Sequence, residues 1–205
     1  MIRLSRKLPR QIAIAVSGGC DSMAALDFLR KSHDVRVLHY NHGTDYSDKA
    51  EVLVRKYCIE KDIPITVGKN WDEPPKGVSL EDFWRVKRYD FFEDSRENLP
   101  VITCHHLDDV AETWIFTSLH GTSYLIPETR DCYIRPFLQT RKAIFEDWCA
   151  RKNVSYVEDP SNSDTRFMRN FIRHELLPKS LIVNPGIHKM LRKKLSWVNN
   201  GGKKD

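Results

Sequence analysis

The sequence predicts an α/β fold, a doubly wound parallel sheet with a small C-terminal helical appendage, on three observations. Short apolar runs alternate with helical patterns as β-α-β-α-β-α-β-α over roughly residues 10 to 125. The residue groups best suited to chemistry lie at Ser17–Ser22, Asn41–Gly43 and His105–Glu112, each directly after a predicted strand. A parallel sheet brings such strand ends to one edge. At 205 residues the chain is long enough for one α/β core and little more.

Met1 to Arg10 reads as a short basic lead-in, with Arg3, Arg6, Lys7 and Arg10. Ile12 to Val16 is a run of small and apolar residues, the mark of a strand buried on both faces. Ser17-Gly18-Gly19 turns the chain, and Asp21-Ser22 opens a helix whose apolar residues include Ala25, Leu26, Phe28 and Leu29. Val35 to Tyr40 is a second strand, ended by Asn41-His42-Gly43; Ser47 to Lys61 fits a helix and Pro64 to Val67 a third strand. Trp71 to Gly77, with Pro74-Pro75, is a loop. Ser79 is the expected N-cap of a helix from Leu80 to about Glu93, with Asp82 as capping partner and Leu80, Phe83, Trp84 and Phe91 as its apolar face.

Val101 to Cys104 is a fourth strand, and a helix follows from about Asp108 to near Gly121. Tyr124 to Gln139 reads as irregular. Helices are expected over Arg141 to Lys152 and over Arg166 to Leu177, the latter stopped by Pro178. Ile187, Met190, Leu191 and Leu195 mark a last amphipathic helix whose other face carries Lys189, Arg192, Lys193 and Lys194. Asn199 to Asp205 is expected to fray.

The 33 Lys and Arg against 28 Asp and Glu give a net charge of +5, compatible with an RNA partner but shared by many proteins that have none. No apolar run approaches a membrane span and the N-terminus lacks a signal-peptide core, so no membrane partner is expected. The cysteines, Cys20, Cys58, Cys104, Cys132 and Cys149, are odd in number and form no C-x-x-C. A reduced, cytoplasmic protein is the simplest account.

Three clusters carry the functional argument. In Ser17-Gly18-Gly19-Cys20-Asp21-Ser22, a strand, a glycine-rich loop and a helix N-terminus aim backbone N–H groups and the helix dipole at one spot, which suits phosphate. No Gly-Lys-Ser/Thr follows, so this is not a Walker A loop. In His105-His106-Leu107-Asp108-Asp109-Val110-Ala111-Glu112, the spacing lets all three carboxylates face the sheet edge if the helix begins near Asp108. An N-cap with favourable dipole charges is the plainer reading, but it leaves the paired histidines unexplained. Glu158-Asp159-Pro160-Ser161-Asn162 is an ordinary turn by itself, and Arg169 and Arg173, one helical turn apart, form one basic face.

Together these stretches resemble the tRNA(Ile)-lysidine synthetase family of PP-loop ATP pyrophosphatases. The matching pieces are S-G-G-C-D-S at 17–22, N-H-G at 41–43, E-D-F-W-R-V-K-R-Y at 81–89, H-H-L-D-D-V-A-E-T at 105–113, R-P-F-L-Q-T-R at 135–141, and E-D-P-S-N-S-D with R-N-F-I-R at 158–173. The resemblance implies that ATP adenylates the wobble cytidine of a tRNA(Ile) with a CAU anticodon and that free L-lysine then displaces AMP. It implies ATP contacts at Ser17, Gly18, Gly19, Cys20, Asp21, Ser22, His42 and His105, with Asp21 holding Mg²⁺. Asp108, Asp109 and Glu112 would bind lysine and, with Asp21, serve catalysis; which group takes the amine proton stays open. Arg85, Arg88, Arg141, Arg169 and Arg173 are candidates for phosphate or tRNA. Residues 1–125 would form the nucleotide-binding domain, 126–198 a mostly helical extension and 199–205 a disordered tail.

The chain departs from the family at His120 to Leu125, where an Arg-Gly-Thr-Gly stretch is usual, and lacks the arginine usual after the Asn41-His42-Gly43 turn. It reads as a reduced form without the larger C-terminal tRNA-binding domains. A PP-loop cytidine thiolase is the alternative enzyme, opposed by the scattered cysteines. A catalytically dead nucleotide- or RNA-binding protein is the alternative outside enzymes, opposed by the intact motifs.

Overall fold

The computed structural model describes residues 1–199. The elements run β1 (Gln11–Ala15), α1 (Cys20–Leu29), β2 (Asp34–Asn41), α2 (Asp45–Glu60), β3 (Ile65–Lys69), α3 (Leu80–Ser95), β4 (Val101–Ile102), α4 (Leu107–Leu119), β5 (Thr129–Arg130), β6 (Tyr133–Ile134) and α5 (Lys142–Lys152). After a 3₁₀ turn at Pro160–Ser163 come α6 (Met168–Phe171), a π-helical turn at Ile172–Leu176, α7 (Leu177–Val183) and α8 (Ile187–Asn199). The sheet order is β3-β2-β1-β4-β6-β5. All neighbours pair in parallel except β5 with β6. β1 therefore sits between β2 and β4, at the point where the strand order reverses, and this is where an open α/β sheet leaves a crevice beyond its strand ends.

The unbroken apolar run of β1 follows from burial on both faces. Ile12 and Ile14 pack with Met23, Leu26, Val54, Phe137 and Phe145 on one face, and Ala13 packs with Leu38, Phe92, Val101 and Tyr133 on the other. A separate cluster binds the C-terminal helices to α4 through Leu107, Val110, Ile115, Ile172, Leu177, Ile187, Leu191 and Leu195. Each such side chain contributes about 1.5–3 kcal/mol when fully buried, so α8 is anchored by its Ile187, Leu191 and Leu195 stripe.

Several sequence expectations need correction. Tyr124 to Gln139 is not wholly irregular: Asp131, at φ 53°, turns the β5–β6 hairpin, and β6 joins the sheet beside β4. The expected domain boundary at residue 125 thus falls inside the sheet layer, and Phe145 and Cys149 of α5 belong to the same core as α1. β4 is a two-residue strand rather than four. On α3 the buried residues are Phe83 and Phe92; Leu80 is exposed. The Ser79 cap accepts from the Asp82 amide at 3.1 Å as expected. Pro178 does not stop its helix, because the π-helical turn before it changes the hydrogen-bond register and the chain continues helically to Val183. Asn199 closes α8, and the rest of the expected tail, residues 200–205, lies outside the described residues.

Candidate active site

β1 ends at Ala15, and the chain turns at Ser17–Gly19 into α1. Gly18 has φ +88°, and a Cβ there would stand 2.9 Å from the Ala50 Cβ of α2, so both the turn and the packing require glycine. Gly19 differs: a Cβ there would meet only Ser17 Oγ, at 3.5 Å. Its freedom from a side chain keeps open the space in front of the α1 N-terminus. Gly19 is the N-cap and offers no side-chain cap to the first-turn amides of Cys20, Asp21 and Ser22. The Ser22 hydroxyl is used within the loop: it donates to Gly19 O at 2.9 Å and accepts from the Ser17 amide at 3.2 Å. Ser22 is therefore a loop brace, and the donors left without a partner are the first-turn amides of Cys20, Asp21 and Ser22; Ser17 Oγ lies 3.2 Å from Ser22 Oγ and accepts from Gly19 N–H at 3.3 Å. The Cys20 sulfur points away, 3.9 Å from the Cys149 sulfur of α5.

At the neighbouring strand end, β4 delivers His105 and His106. His106 is the N-cap of α4, and the Asp109 carboxylate accepts from its amide at 2.8 Å. As a neutral ring, His106 Nδ1 accepts from the Asp109 amide at 3.2 Å. As an imidazolium it faces Asp109 Oδ2 at 3.3 Å through Nδ1 and Asp21 Oδ2 at 3.6 Å through Nε2. Burial opposes that charge, but Asp109, Asp21 and Asp108 outweigh it and push its pKa up to about 9. Burial lowers His105 to about 4, a neutral ring whose Nδ1 lies 3.1 Å from Thr103 Oγ1. Ser17, Gly19, Asp21, Ser22, Cys104, His105, Asp109 and Arg169 together line a cavity of about 230 Å³.

The three carboxylates do not share one face, contrary to the sequence expectation. α4 begins one residue earlier, at Leu107, and Asp108 turns away to accept from the Lys142 amide at the start of α5, at 2.7 Å. His188 Nε2 of α8 lies 3.1 Å from its other oxygen. Although burial works against ionisation, these partners hold the Asp108 carboxyl well below the usual range. Asp109 and Glu112 face Arg169 and Arg173 instead. Arg173 grips Glu112 with two bonds of 2.6 and 3.1 Å and reaches Asp109 at 3.4 Å. Arg169 meets Glu112 and Asp109 at 3.3 Å each. The Asp-Pro-Ser-Asn turn aims these arginines: Asn170 Nδ2 donates to the carbonyls of Ser161 and Asp164 at 2.7 and 3.0 Å and fixes α6 against it. Val157 N–H also donates to Gly18 O at 3.0 Å, tying the same segment to the loop after β1.

The other predicted residues scatter. His42 does not line the cavity; its ring sits 5.0 Å from that of Trp84, and Arg88 Nη1 is 3.5 Å from its Nε2. Burial, then Arg88, lowers His42 to about 4. Arg85 lies exposed, 5.9 Å from the Tyr89 ring, and Arg141 is exposed at the N-cap of α5. His188 and Lys142, both on Asp108, escape the sequence reading; Arg135, part of the family-matching stretch at 135–141 but given no role there, is buried and donates to Pro127 O at 3.0 Å.

An Mg²⁺ ion and ATP phosphates fit this chemistry. Asp21 Oδ1 is buried without a partner, and uncapped amides face the space that Gly19 leaves open. Among the described residues no helix is long and apolar enough to cross a membrane.

The chain is 31% identical to a tRNA(Ile)-lysidine synthase of Thermotoga sp. (strain RQ2), over 86% of this chain and 46% of that protein. It is likewise 31% identical to a tRNA(Ile)-lysidine synthase of Porphyromonas gingivalis (strain W83), over 92% of this chain and 45% of that one. The chain thus spans about half the length of these relatives. Among solved structures it is similar in fold to the U34-tRNA thiolase NcsA from Methanococcus maripaludis with its [4Fe-4S] cluster, with a TM-score of 0.73 and 14% identity, covering 96% of this chain and 74% of that one. Residues 3–180, which contain the loop after β1, the acidic start of α4 and both arginines, match the PP-loop domain, and the chain belongs to that family.

Proposed function

We propose that the protein ligates L-lysine to the wobble cytidine of a tRNA(Ile) bearing a CAU anticodon, using ATP. The observation that carries this reading is a cavity in which an open anion seat, with Gly19 and Asp21, faces an acidic wall, with Asp109. Resemblance to lysidine synthases over most of the chain supports the choice of amine and RNA.

The cytidine 2-carbonyl is a poor electrophile. Its oxygen attacks the α-phosphorus of ATP, the bond to pyrophosphate breaks, and the base carries an AMP leaving group. The lysine Nε then bonds to C2, AMP departs, and the amine proton passes to a base. The uncapped amides of Cys20, Asp21 and Ser22 at the start of α1 stabilise charge on the phosphate oxygens. Asp21, whose buried Oδ1 has no hydrogen-bond partner, would hold Mg²⁺, and the ion would supply counter-charge for the phosphates. Asp109 and Glu112 hold the lysine ammonium, while Asp108 orients α4 from its place against α5 and α8. Arg85, Arg88 and Arg141 supply the RNA-facing charge, and the reaction belongs to the cytoplasm, where tRNA is modified. Incubation with ATP, Mg²⁺, radiolabelled lysine and individual tRNAs tests the reading: label should enter only the CAU-anticodon tRNA(Ile), with AMP released. Label in no tRNA, or in tRNAs without cytidine at the wobble position, contradicts it.

A further inference from the structure

The two arginines on the acidic wall are not equivalent. Arg173 holds Glu112 in a two-pronged contact of 2.6 and 3.1 Å and is 23% exposed. Arg169 touches the same pair only at 3.3 Å, is 50% exposed, and also lines the cavity opposite Ser17, Gly19 and Asp21. It sits on a helix of four residues that passes at once into the π-helical turn carrying Arg173. An irregular helical register of this kind recurs at functional sites. Asp109 and Glu112 are matched by these guanidinium groups, and Asp109 also faces His106. A further cation cannot enter without removing one of them, and Arg169 is the loosely held one. Phosphates bound in the same cavity would offer its guanidinium a second anionic partner, beside Asp21 and its unpartnered oxygen.

We infer that Arg169 is an exchangeable counter-ion that links the two substrates: nucleotide phosphates draw it off Asp109 and Glu112, and the vacated carboxylates accept the substrate ammonium. The inference rests on the lysine-ligase reading and adds an order to it. With no nucleotide bound, Arg169 competes with lysine. With nucleotide bound, it serves the phosphates and the acid pair is open. Coupling of this kind is reciprocal, so lysine must tighten nucleotide binding by the factor by which nucleotide tightens lysine.

The test is calorimetric titration of the full chain with L-lysine, with and without the non-cleavable analogue α,β-methylene-ATP and Mg²⁺. In the wild type the analogue should tighten lysine binding about 5-fold or more, with the same factor in the reverse titration. Arg169→Gln should bind lysine several-fold more tightly than wild type when nucleotide is absent, bind the analogue more weakly, and show a coupling factor near one. Arg169→Lys, which keeps a charge but loses the planar fork, should show intermediate coupling and serves as a check that the segment still folds. Weaker lysine binding by nucleotide-free Arg169→Gln, or coupling that survives in that variant, overturns the inference. Lysine binding by the wild type without any coupling overturns the inference alone. Analogue binding with no lysine binding under any condition overturns the ligase reading with it.

Discussion

The two strand ends that meet at the cavity are finished in opposite ways. After β1 the chain leaves charge-seeking groups unmatched: α1 starts without a side-chain cap, Gly19 faces open space, and one oxygen of Asp21 has no partner. After β4 the charges are already matched: Asp109 and Glu112 by Arg169 and Arg173, and Asp108 by His188 and the Lys142 amide. An anion entering the first end meets uncapped backbone amides already in place. A cation can enter the second only by exchange. The PP-loop half is preorganised for its ligand, whereas the acidic half is held in a closed, self-satisfied state.

The largest effect is expected where the open end is filled. Gly19→Val should leave the fold intact, since a Cβ there meets only Ser17 Oγ, at 3.5 Å, yet lower pyrophosphate release at least about 100-fold by blocking the approach of phosphate. Gly18→Val is the contrasting variant. It would collide with Ala50 and require φ +88° of a β-branched residue, so it should unfold the loop as well. Urea midpoints and pyrophosphate release measured side by side separate the two glycines; similar stability losses for both would erase the distinction.

Within the closed end, Asp108→Asn should behave as a structural change. It weakens the hydrogen bonds to Lys142 and His188, at a cost of about 1–2 kcal/mol, and should leave the Michaelis constant for lysine nearly unchanged. A raised constant with normal stability would return Asp108 to the substrate wall.

How legible these two ends are in the sequence follows from the same contrast. The open end is local: a strand, two glycines and a helix start within Ile12 to Ser22, so its chemistry is written in adjacent residues. The closed end is not. Asp108 meets partners 34 and 80 residues away, and Glu112 an arginine 61 residues on. Spacing along α4 alone puts three carboxylates on one face, and only those distant partners turn Asp108 away. The β5–β6 hairpin is hidden because two-residue strands have no alternation to detect. The helix beyond Pro178 is hidden because the π-helical turn that accommodates the proline has no local sequence signature.

A region outside the site gives a smaller, pH-dependent check on the scaffold beneath the open end. Asp27 of α1 accepts from Tyr57 at 2.7 Å and Trp148 at 3.0 Å, and pairs with Arg30 and Lys31 at 2.8 and 3.0 Å. Burial works against its charge, but Tyr57, Lys31, Arg30 and Trp148 outweigh it and lower the pKa to about 2. The folded value lies below the unfolded one, so the stabilisation is present above about pH 4 and is lost as pH falls through about 2. Asp27→Asn should therefore cost about 2 kcal/mol near neutrality, with the difference from wild type shrinking toward pH 2. A pH-independent difference in denaturant midpoints would assign the effect to packing instead.

The smallest expected effect concerns the exposed basic face of α8. Lys189, Lys193 and Lys194 are exposed on α8, and Arg192 is tethered to Gln139 O at 3.0 Å. If this face touches the tRNA backbone, neutralising the four should flatten the salt dependence of RNA affinity by about one unit for each phosphate no longer bound. An unchanged slope removes α8 from the RNA surface.

The most direct test of the division between the two ends is to follow both half-reactions in Glu112→Gln with ATP, Mg²⁺ and the CAU-anticodon tRNA(Ile). Pyrophosphate release should continue at close to the wild-type rate, because the open end is untouched, while transfer of labelled lysine falls at least about 100-fold through removal of the amine's counter-charge. Equal decreases in both half-reactions, or normal transfer of lysine, would contradict the separation of an anion end from an amine end.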